Sequence, residues 1–335
     1  MNMNLKCDEF GTRRGFLRAG LAAGGMVAAS RLPAVDAAEG PQWPFCGRSE
    51  RCRLSLAYGR VAAGAERPFS ILHISDTHLT AAYPHDDEKS QRLKTIRTKE
   101  FGGMQEEALR DSIAWAKGHV DYIVHTGDVI DWHSEANFDL VRKYYGEGGA
   151  EMFGCVGNHE FSRGMWLEKP RNDDAYRAET NAPVAAAFPF DISFAANVVN
   201  GVNFIAIDNA HDGTVTSAQV ERFEREAAKG LPIVVCVHVP FYTPGIWLAT
   251  GKFWKGGGNL RFTSAETPSI VGEYARQTED PVTRGFVERL KAEPLLKGIL
   301  AGHVHFTMQE PFSQTAVQFV VGANFLFHGE EILFT

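Results

Sequence analysis

The sequence predicts an α/β fold, and two patterns carry that prediction. Short apolar runs rich in β-branched residues recur along the chain, as expected of strands that are buried on both faces. Amphipathic helical patterns lie between some of these runs, and strands that alternate with helices are typical of α/β domains. The seven runs are 71–74, 122–124, 152–156, 204–207, 233–237, 299–300 and 317–321.

Three helices are predicted from the spacing of apolar residues, at 104–117, 217–229 and 281–292. The first places Met104, Ala108 and Ile113 near one face and ends at Gly118, and the second ends at Gly230. Two long connections remain. Residues 80–103 are polar and charged, whereas 240–280 are rich in glycine and aromatic residues. Connections this long in a compact domain are usually functional or disordered.

Composition excludes several classes of protein. The chain has 335 residues, of which 44% are hydrophobic and 22% charged, and these values exclude a disordered, collagenous or disulfide-dense chain. The net charge of −7 gives no general attraction to nucleic acid or to an anionic membrane. No run of eighteen apolar residues occurs, so a multi-span membrane protein is excluded.

Residues 1–37 have the order of an export signal: a charged start, an apolar stretch and an end of small residues. Arg13 and Arg14, followed by Phe16 and Leu17, resemble the twin-arginine type, which implies the twin-arginine export machinery as a partner and a periplasmic or secreted bacterial protein. Cleavage is expected after Ala37, with the next residue as the alternative. The apolar stretch is too short for a permanent membrane anchor. We therefore predict a signal at 1–37, an irregular lead-in at 38–65 and one domain at 66–335.

Removing residues 1–37 takes away five basic and three acidic residues, which changes the net charge from −7 to −9. Four cysteines remain. Cys46 and Cys52 could form a disulfide in an oxidising compartment, but their spacing alone leaves the pairing open. Cys155 and Cys236 lie inside apolar runs and are predicted to be packed core thiols.

Side chains that can bind metals follow five of the apolar runs. In open α/β sheets, ligands bind at the carboxyl ends of the strands. The side chains after these runs provide seven candidate donors, named at the end of this paragraph. Seven are too many for one tetrahedral zinc ion and suit two ions of higher coordination number. Imidazole, carboxylate and amide donors together suit zinc, iron, manganese or cobalt better than calcium. The candidate ligands are Asp76, His78, Asp128, Asn158, His238, His303 and His305.

In chain order these residues form Asp-x-His, Gly-Asp, Gly-Asn-His-Glu, a single His and Gly-His-x-His. The ordered set resembles the calcineurin-like metallophosphoesterase superfamily over about residues 68–310. The resemblance implies a four-layer αββα sandwich, two β-sheets flanked by helices, with two transition-metal ions (manganese, iron or zinc) at the ends of the strands. It also implies ligand sets: Asp76, His78 and His305 for one ion, Asn158, His238 and His303 for the other, and Asp128 bridging them.

The same resemblance implies hydrolysis of a small phosphate ester, with attack by a metal-bound hydroxide. His159 would be the catalytic residue that stabilises or protonates the leaving oxygen, and Glu160 would orient it. In purple acid phosphatases a tyrosine ligand stands at the position of Asp131, so a coloured tyrosinate–iron site is not expected here. Asp131 is instead expected to support the ligands or to cap the turn.

A phosphomonoesterase is the favoured interpretation. The alternatives are a phosphodiesterase of the same superfamily and a non-catalytic metal-binding protein on the same fold. Nuclease activity is disfavoured by the acidic charge and the export signal. His73 and His125 lie inside apolar runs and are predicted to be core histidines. The aromatic segment 241–258 follows His238 and is either a wall over the metal ions or an ordinary packed excursion.

Overall fold

The computed structural model describes residues 53–147, 151–164, 174–254 and 277–335. The predictions for the export signal and for the Cys46–Cys52 pair lie outside these residues. The strands of the described part are β1 (Ser55–Val61), β2 (Phe69–Ile74), β3 (Tyr122–Thr126), β4 (Glu151–Cys155), β5 (Phe194–Val199), β6 (Val202–Ile207), β7 (Ile233–Cys236), β8 (Leu296–Ala301), β9 (Met308–Pro311), β10 (Val317–Val320) and β11 (His328–Phe334).

The strands form two mixed sheets. The first sheet has the order β1-β11-β2-β3-β4, and the second has the order β5-β6-β7-β8-β10-β9. Strands β2, β3 and β4 run parallel in the first sheet, as do β6, β7 and β8 in the second. The carboxyl ends of each parallel set therefore meet at one edge of their sheet. All seven apolar runs that were predicted to be strands are strands.

The turn between β5 and β6 explains the hairpin at the edge of the second sheet. Strands β5 and β6 form an antiparallel hairpin joined by Asn200 and Gly201. Both residues have positive φ, 46° and 81° respectively, and Asn-Gly is the pair that a tight two-residue hairpin turn favours.

Seven α-helices lie wholly within the described residues: α1 (Glu88–Glu100), α2 (Gln105–Ala116), α3 (Glu135–Glu147), α4 (Asp174–Ala187), α5 (Ser217–Ala227), α6 (Pro244–Trp254) and α7 (Pro281–Lys291). Short 3₁₀ turns span His159–Phe161 and Asn324–Leu326. Helices α2, α5 and α7 confirm the three predicted helices to within a few residues. Helix α5 begins with a capping box, in which the Thr216 hydroxyl accepts from the backbone N–H of Gln219 while the Gln219 side chain accepts from that of Thr216.

Three apolar clusters fill the spaces between four layers. One lies between the two sheets and includes Val124 and Phe153 from the first sheet and Phe204 and Leu300 from the second. A second cluster packs helices on the outer face of the first sheet, and a third does so on the outer face of the second. The structure is therefore a sandwich of two mixed sheets flanked by helices, as predicted.

Some elements differ from the prediction. The polar connection 80–103 contains helix α1, whose sequence buries only Leu93 and Arg97 and so has almost no apolar stripe for a pattern to detect. The connection 240–280 contains helix α6. Strand β1 lies within the segment 38–65 that was expected to be irregular, because β11 provides it with a parallel partner.

Two further predictions concern the described residues. Cys155 and Cys236 are buried free thiols, as expected, and burial raises the pKa of both. No helix in the described ranges combines the length and apolar character needed to cross a bilayer.

Candidate metal centre

The structure brings all seven predicted ligands to the edge where the parallel strands of both sheets end. The first sheet supplies Asp76 and His78 after β2, Asp128 after β3 and Asn158 after β4. The second sheet supplies the remaining three histidines: His238 follows β7, and His303 and His305 follow β8. The candidate site thus lies across the two sheets rather than within one.

Three donor atoms from both sheets form one tight group, made by Asp76, His78 and His305. His305 Nε2 lies 3.3 Å from His78 Nε2 and 3.3 Å from Asp76 Oδ1, and His78 Nε2 lies 3.8 Å from the same carboxylate oxygen. The centre of this triangle is about 2.0 Å from each atom, which is the length of zinc–nitrogen and zinc–oxygen bonds in proteins. The spacing of these three side chains therefore fits a single metal ion.

A second group is centred on His238, whose Nε2 has three donor atoms close to it. Asp128 Oδ2 lies at 3.2 Å, His303 Nδ1 at 3.1 Å and Asn158 Oδ1 at 3.2 Å. His238 Nδ1 donates to the backbone carbonyl of Thr126 at 2.7 Å. That bond leaves the lone pair of Nε2 directed at the group, as a metal-binding imidazole requires.

Asp128 lies between the two groups. Its Oδ2 atom is 3.2 Å from His238 Nε2 in one group and 3.7 Å from His78 Nε2 in the other. Its Oδ1 atom accepts the backbone N–H of His159 at 2.9 Å. The position of Asp128 therefore suits a carboxylate shared by two ions.

Asp131 orients two of the site histidines. Its buried carboxylate accepts from His78 Nδ1 at 2.9 Å and lies 3.0 Å from His159 Nδ1, which also bonds the Asp131 carbonyl at 2.9 Å. Arg97 of helix α1 binds the same carboxylate with two bonds of 2.5 and 2.7 Å. The guanidinium is a positive charge next to Asp131, so this carboxylate is a poor ligand for a further cation and acts as an anchor for both imidazoles.

The backbone at the site is strained. Five of the predicted ligands have positive φ, between 51° and 69°, a region that side-chain-bearing residues seldom adopt. Such strained backbone conformations are found mainly at functional sites, where the surrounding structure holds them in place. The five are Asp76, His78, Asp128, His303 and His305.

Glycines allow the strand ends to approach so closely. A Cβ atom on Gly127, which has a φ of 94°, would lie 2.6 Å from the backbone nitrogen of Gly157 and 2.7 Å from the His238 ring. Cβ atoms added at Gly157 and Gly302 would likewise collide with Asp128 and Ser75. The Gly-Asp, Gly-Asn and Gly-His pairs of the sequence are thus explained by the space between the strand ends.

The buried carboxylates and imidazoles of the two donor groups shift one another's pKa. Burial alone would raise the pKa of Asp76, but the hydrogen bonds of His305 and His78 and the charges of His305 and His238 lower it well below its usual range. Burial alone would lower the pKa of His78, but Asp131, Asp76 and Asp128 raise it to about 9. Burial likewise opposes the rise in the pKa of His238 to about 10, which Asp128 causes. Buried carboxylates here require positive charge, which bound cations supply when the imidazoles are neutral ligands.

Two residues take positions that the sequence did not reveal. Glu160 does not contact the His159 ring, so the prediction that it orients His159 is wrong. Its buried carboxylate instead accepts from the backbone N–H groups of Asp128, Val129 and Gly157, and burial and the Asp128 charge raise its pKa to about 7. Asn209, after β6, accepts the backbone N–H groups of His238 and of the next residue at 3.1 and 3.0 Å. Both side chains hold ligand-bearing turns in place.

The two predicted core histidines are fully buried in strands β2 and β3. His73 bonds the Thr126 hydroxyl and His125 the Thr77 hydroxyl, at 3.0 and 2.8 Å. Burial lowers the pKa of His125 to about 3, which makes it a neutral side chain. Neither belongs to the groups of candidate metal-binding side chains in the described residues.

Comparison with known proteins assigns the chain to a family. The family model described as calcineurin-like phosphoesterase matches residues 69–306, which include the parallel strands β2 to β4 and β6 to β8 and every candidate ligand. No curated protein matches the chain. The protein is a metal-dependent phosphoric ester hydrolase. It belongs to the calcineurin-like phosphoesterase family.

Solved structures with a similar arrangement include a dimetal phosphatase from Danio rerio, with 13% identity, a TM-score of 0.46, and coverage of 77% of this chain and 88% of the other. A purple acid phosphatase from yellow lupin has 12% identity, a TM-score of 0.43, and coverage of 77% and 44%. A 5′-nucleotidase from Candida albicans has 12% identity, a TM-score of 0.36, and coverage of 81% and 46%.

Proposed function

We propose that the protein hydrolyses a small phosphate monoester with two transition-metal ions, manganese, iron or zinc, held by the seven predicted ligands. The observation that carries the proposal is the pair of donor groups with Asp128 between them. Asp76, His78 and His305 would hold one ion. Asn158, His238 and His303 would hold the other, with Asp128 shared. Such a pair supplies positive charge for the phosphate oxygens and a nucleophilic water at neutral pH.

His159 is the residue proposed to act on the leaving group. Its Nδ1 faces Asp131, and its Nε2 is directed toward the cluster, 3.9 Å from Asp128 Oδ2. A proton on Nε2 can pass to the ester oxygen as its bond to phosphorus breaks, which leaves a neutral imidazole and an alcohol. The 15% exposure of the His159 side chain gives substrate access to that proton.

Asp131 supports this step by holding the ring. With the Nδ1 proton fixed on Asp131, His159 can bind its exchangeable proton only at Nε2. Arg97 keeps the carboxylate in place through its two bonds.

The proposal is tested by hydrolysis of matched chromogenic phosphate mono- and diesters by the protein loaded with manganese, zinc or iron. Asp128→Asn should abolish turnover, whereas Asp139→Asn, the same change on the exposed face of helix α3, should leave it unchanged. A higher kcat/KM for the monoester supports a phosphomonoesterase. A higher value for the diester would assign the protein to the phosphodiesterases of the family, and no turnover by the metal-loaded protein would refute the proposal.

We further infer that the protein is exported in folded form by the twin-arginine machinery to the periplasm or medium, without a stable membrane anchor and without a nucleic-acid partner. The inference rests on Arg13 and Arg14 and on the acidic charge. Replacing both arginines with lysine should retain the protein in the cytoplasm. Normal export of that variant, or salt-sensitive binding of DNA by the parent, would contradict the inference.

A further inference from the structure

An exposed apolar side chain, Phe253, is linked through Trp254 to His305 of the candidate metal centre. Five large apolar side chains are exposed in the described residues, and three of them lie on helix α6 and on the turn before β11. The other two, Tyr58 and Val198, lie on the edge strands β1 and β5, where exposure is ordinary. The three on helix α6 and on that turn are Leu248 at 53%, Phe253 at 52% and Leu326 at 46% exposure.

Half-buried rings connect these side chains to the metal ligands. His305 contacts Trp254 on one side and Phe325 on the other, with ring centroids 5.4 Å apart in both contacts. Phe325 continues to Phe101 at 4.6 Å, and Phe101 stacks on His78 at 4.8 Å. Trp254 continues to the exposed Phe253 at 5.2 Å, which contacts Phe306 at 5.3 Å. We name this set the aromatic strip: Phe101, Phe325, Trp254, Phe253 and Phe306.

Helix α6 is fixed in position at both ends. Near its beginning, Glu310 accepts the backbone N–H of Ile246 at 3.1 Å and also bonds the Thr243 hydroxyl. At its end, the Trp254 indole N–H donates to the carbonyl of Val304 at 3.1 Å. Ile246 is buried in the core of the second sheet, whereas Leu248 and Phe253 face outward. The exposed apolar surface is thus part of an ordered element next to His305.

The aromatic strip offers apolar contact and no polar recognition of its own. The indole N–H of Trp254 is its only hydrogen-bond donor among the side chains, and that donor is used by Val304. A sugar or nucleobase placed there would find no side-chain partner in the strip for its polar groups, and unpaired polar groups cost affinity. A hydrocarbon chain loses nothing by the same burial.

We propose that the aromatic strip binds the apolar alcohol portion of the substrate, so that the protein acts on phosphate esters of long-chain alcohols. The proposal rests on the proposed phosphoesterase function and adds the substrate class. The phosphate would lie at the donor groups, and the chain would run along Trp254 toward Phe253. Phe325 provides apolar surface on the opposite side of His305.

The test compares ethyl and octyl phosphate below micellar concentration, together with the ethyl and octyl diesters of 4-nitrophenyl phosphate, on the metal-loaded protein. The octyl ester carries six more methylenes than the ethyl ester. Burial of about half of these, at about 0.8 kcal/mol each, raises kcat/KM for the octyl ester by roughly 50-fold. Phe253→Ser should reduce the octyl value by about 10-fold and leave the ethyl value within about twofold. Val198→Ser, an equally exposed apolar position, is the matched control and should change neither value.

The outcomes distinguish failure of the proposed substrate class from failure of the proposed phosphoesterase function. Absence of turnover with every ester refutes the proposed function itself. Equal kcat/KM for ethyl and octyl esters, or an equal loss on both in Phe253→Ser, overturns the substrate class alone. A preference for adenosine 5′-phosphate over octyl phosphate would also overturn it in favour of base stacking. Dimers of the parent that dissociate in Leu248→Ser would show that the surface joins two copies of the chain instead.

Discussion

Replacement of Arg97 by methionine should destabilise the protein by about 3 kcal/mol, because it removes the guanidinium that pairs with the buried Asp131 carboxylate. Removing one partner of a buried ion pair typically costs about 3–5 kcal/mol. Arg97 is only 6% exposed and provides two of the bonds to Asp131. His78 and His159 still contact the carboxylate after the change, and this places the expected cost at the lower end of the range.

The assay is urea unfolding of the metal-free protein, followed by circular dichroism. Arg142→Met on helix α3 is the matched control, because Arg142 also contacts two carboxylates, those of Glu135 and Asp139, but is exposed. Exposed pairs contribute about 0–1 kcal/mol, so the control should remain close to the parent. Adding Asp131→Asn to Arg97→Met removes the buried charge that has lost its guanidinium partner and should recover about 2 kcal/mol as the coupling energy of the pair.

A loss below about 1 kcal/mol for Arg97→Met, or one equal to that of the control, would refute the reasoning. It would mean that the two imidazoles satisfy Asp131 without help from helix α1. A double variant no more stable than Arg97→Met would locate the loss in packing rather than in charge.

Three other expectations test the site. Gly127→Ala should lower the unfolding free energy by more than about 2 kcal/mol, because its Cβ collides with backbone and its φ is 94°. The control Gly118→Ala, with a φ of 83° in open space, should cost about 1 kcal/mol. Equal costs would contradict the close approach of the strand ends at Gly127. Asp131→Asn should reduce kcat about 100-fold for alkyl esters and much less for 4-nitrophenyl esters, whose leaving group needs no proton; equal losses would show that Asp131 acts through the orientation of His78 rather than through His159. Metal added at 100 times its dissociation constant should stabilise the metal-free protein by about 2.7 kcal/mol, and an unchanged thermal midpoint would show that no ion binds the folded state.

The candidate ligands could be found from the sequence because each follows a strand with a clear apolar signal. Runs such as 122–124 and 233–237 identify buried strands, and the polar residues after them are then placed at one edge by parallel pairing. The sequence patterns do not say which strands are neighbours. Asp76 and His305 belong to the same donor group because the edges of the two sheets meet there. No local sequence pattern encodes that contact between sheets.

The supporting residues could not be predicted for the same reason. Arg97 lies in a helix with almost no apolar stripe, and its partner Asp131 lies 34 positions further along the chain. Glu160 follows His159 in sequence, which favoured a role beside it, but the 3₁₀ turn at His159–Phe161 directs the two side chains to different neighbours. Strands β1 and β11 were missed because neither is a continuous apolar run: β1 is a largely exposed edge strand, and β11 begins with His-Gly-Glu-Glu.

The position of β11 determines how late during synthesis the first sheet of the enzyme can be completed. It is the last strand in the chain order, yet it lies inside the first sheet between β1 and β2 and pairs with both. A nascent chain that has made β1 to β4 therefore has a gap in that sheet, and His303 and His305 are not yet made. Folding that depends on such distant pairings is slow and leaves strand edges open meanwhile. A chain released before β11 lacks a strand from the interior of its first sheet, and premature termination yields a substrate for proteolysis rather than a partly active hydrolase.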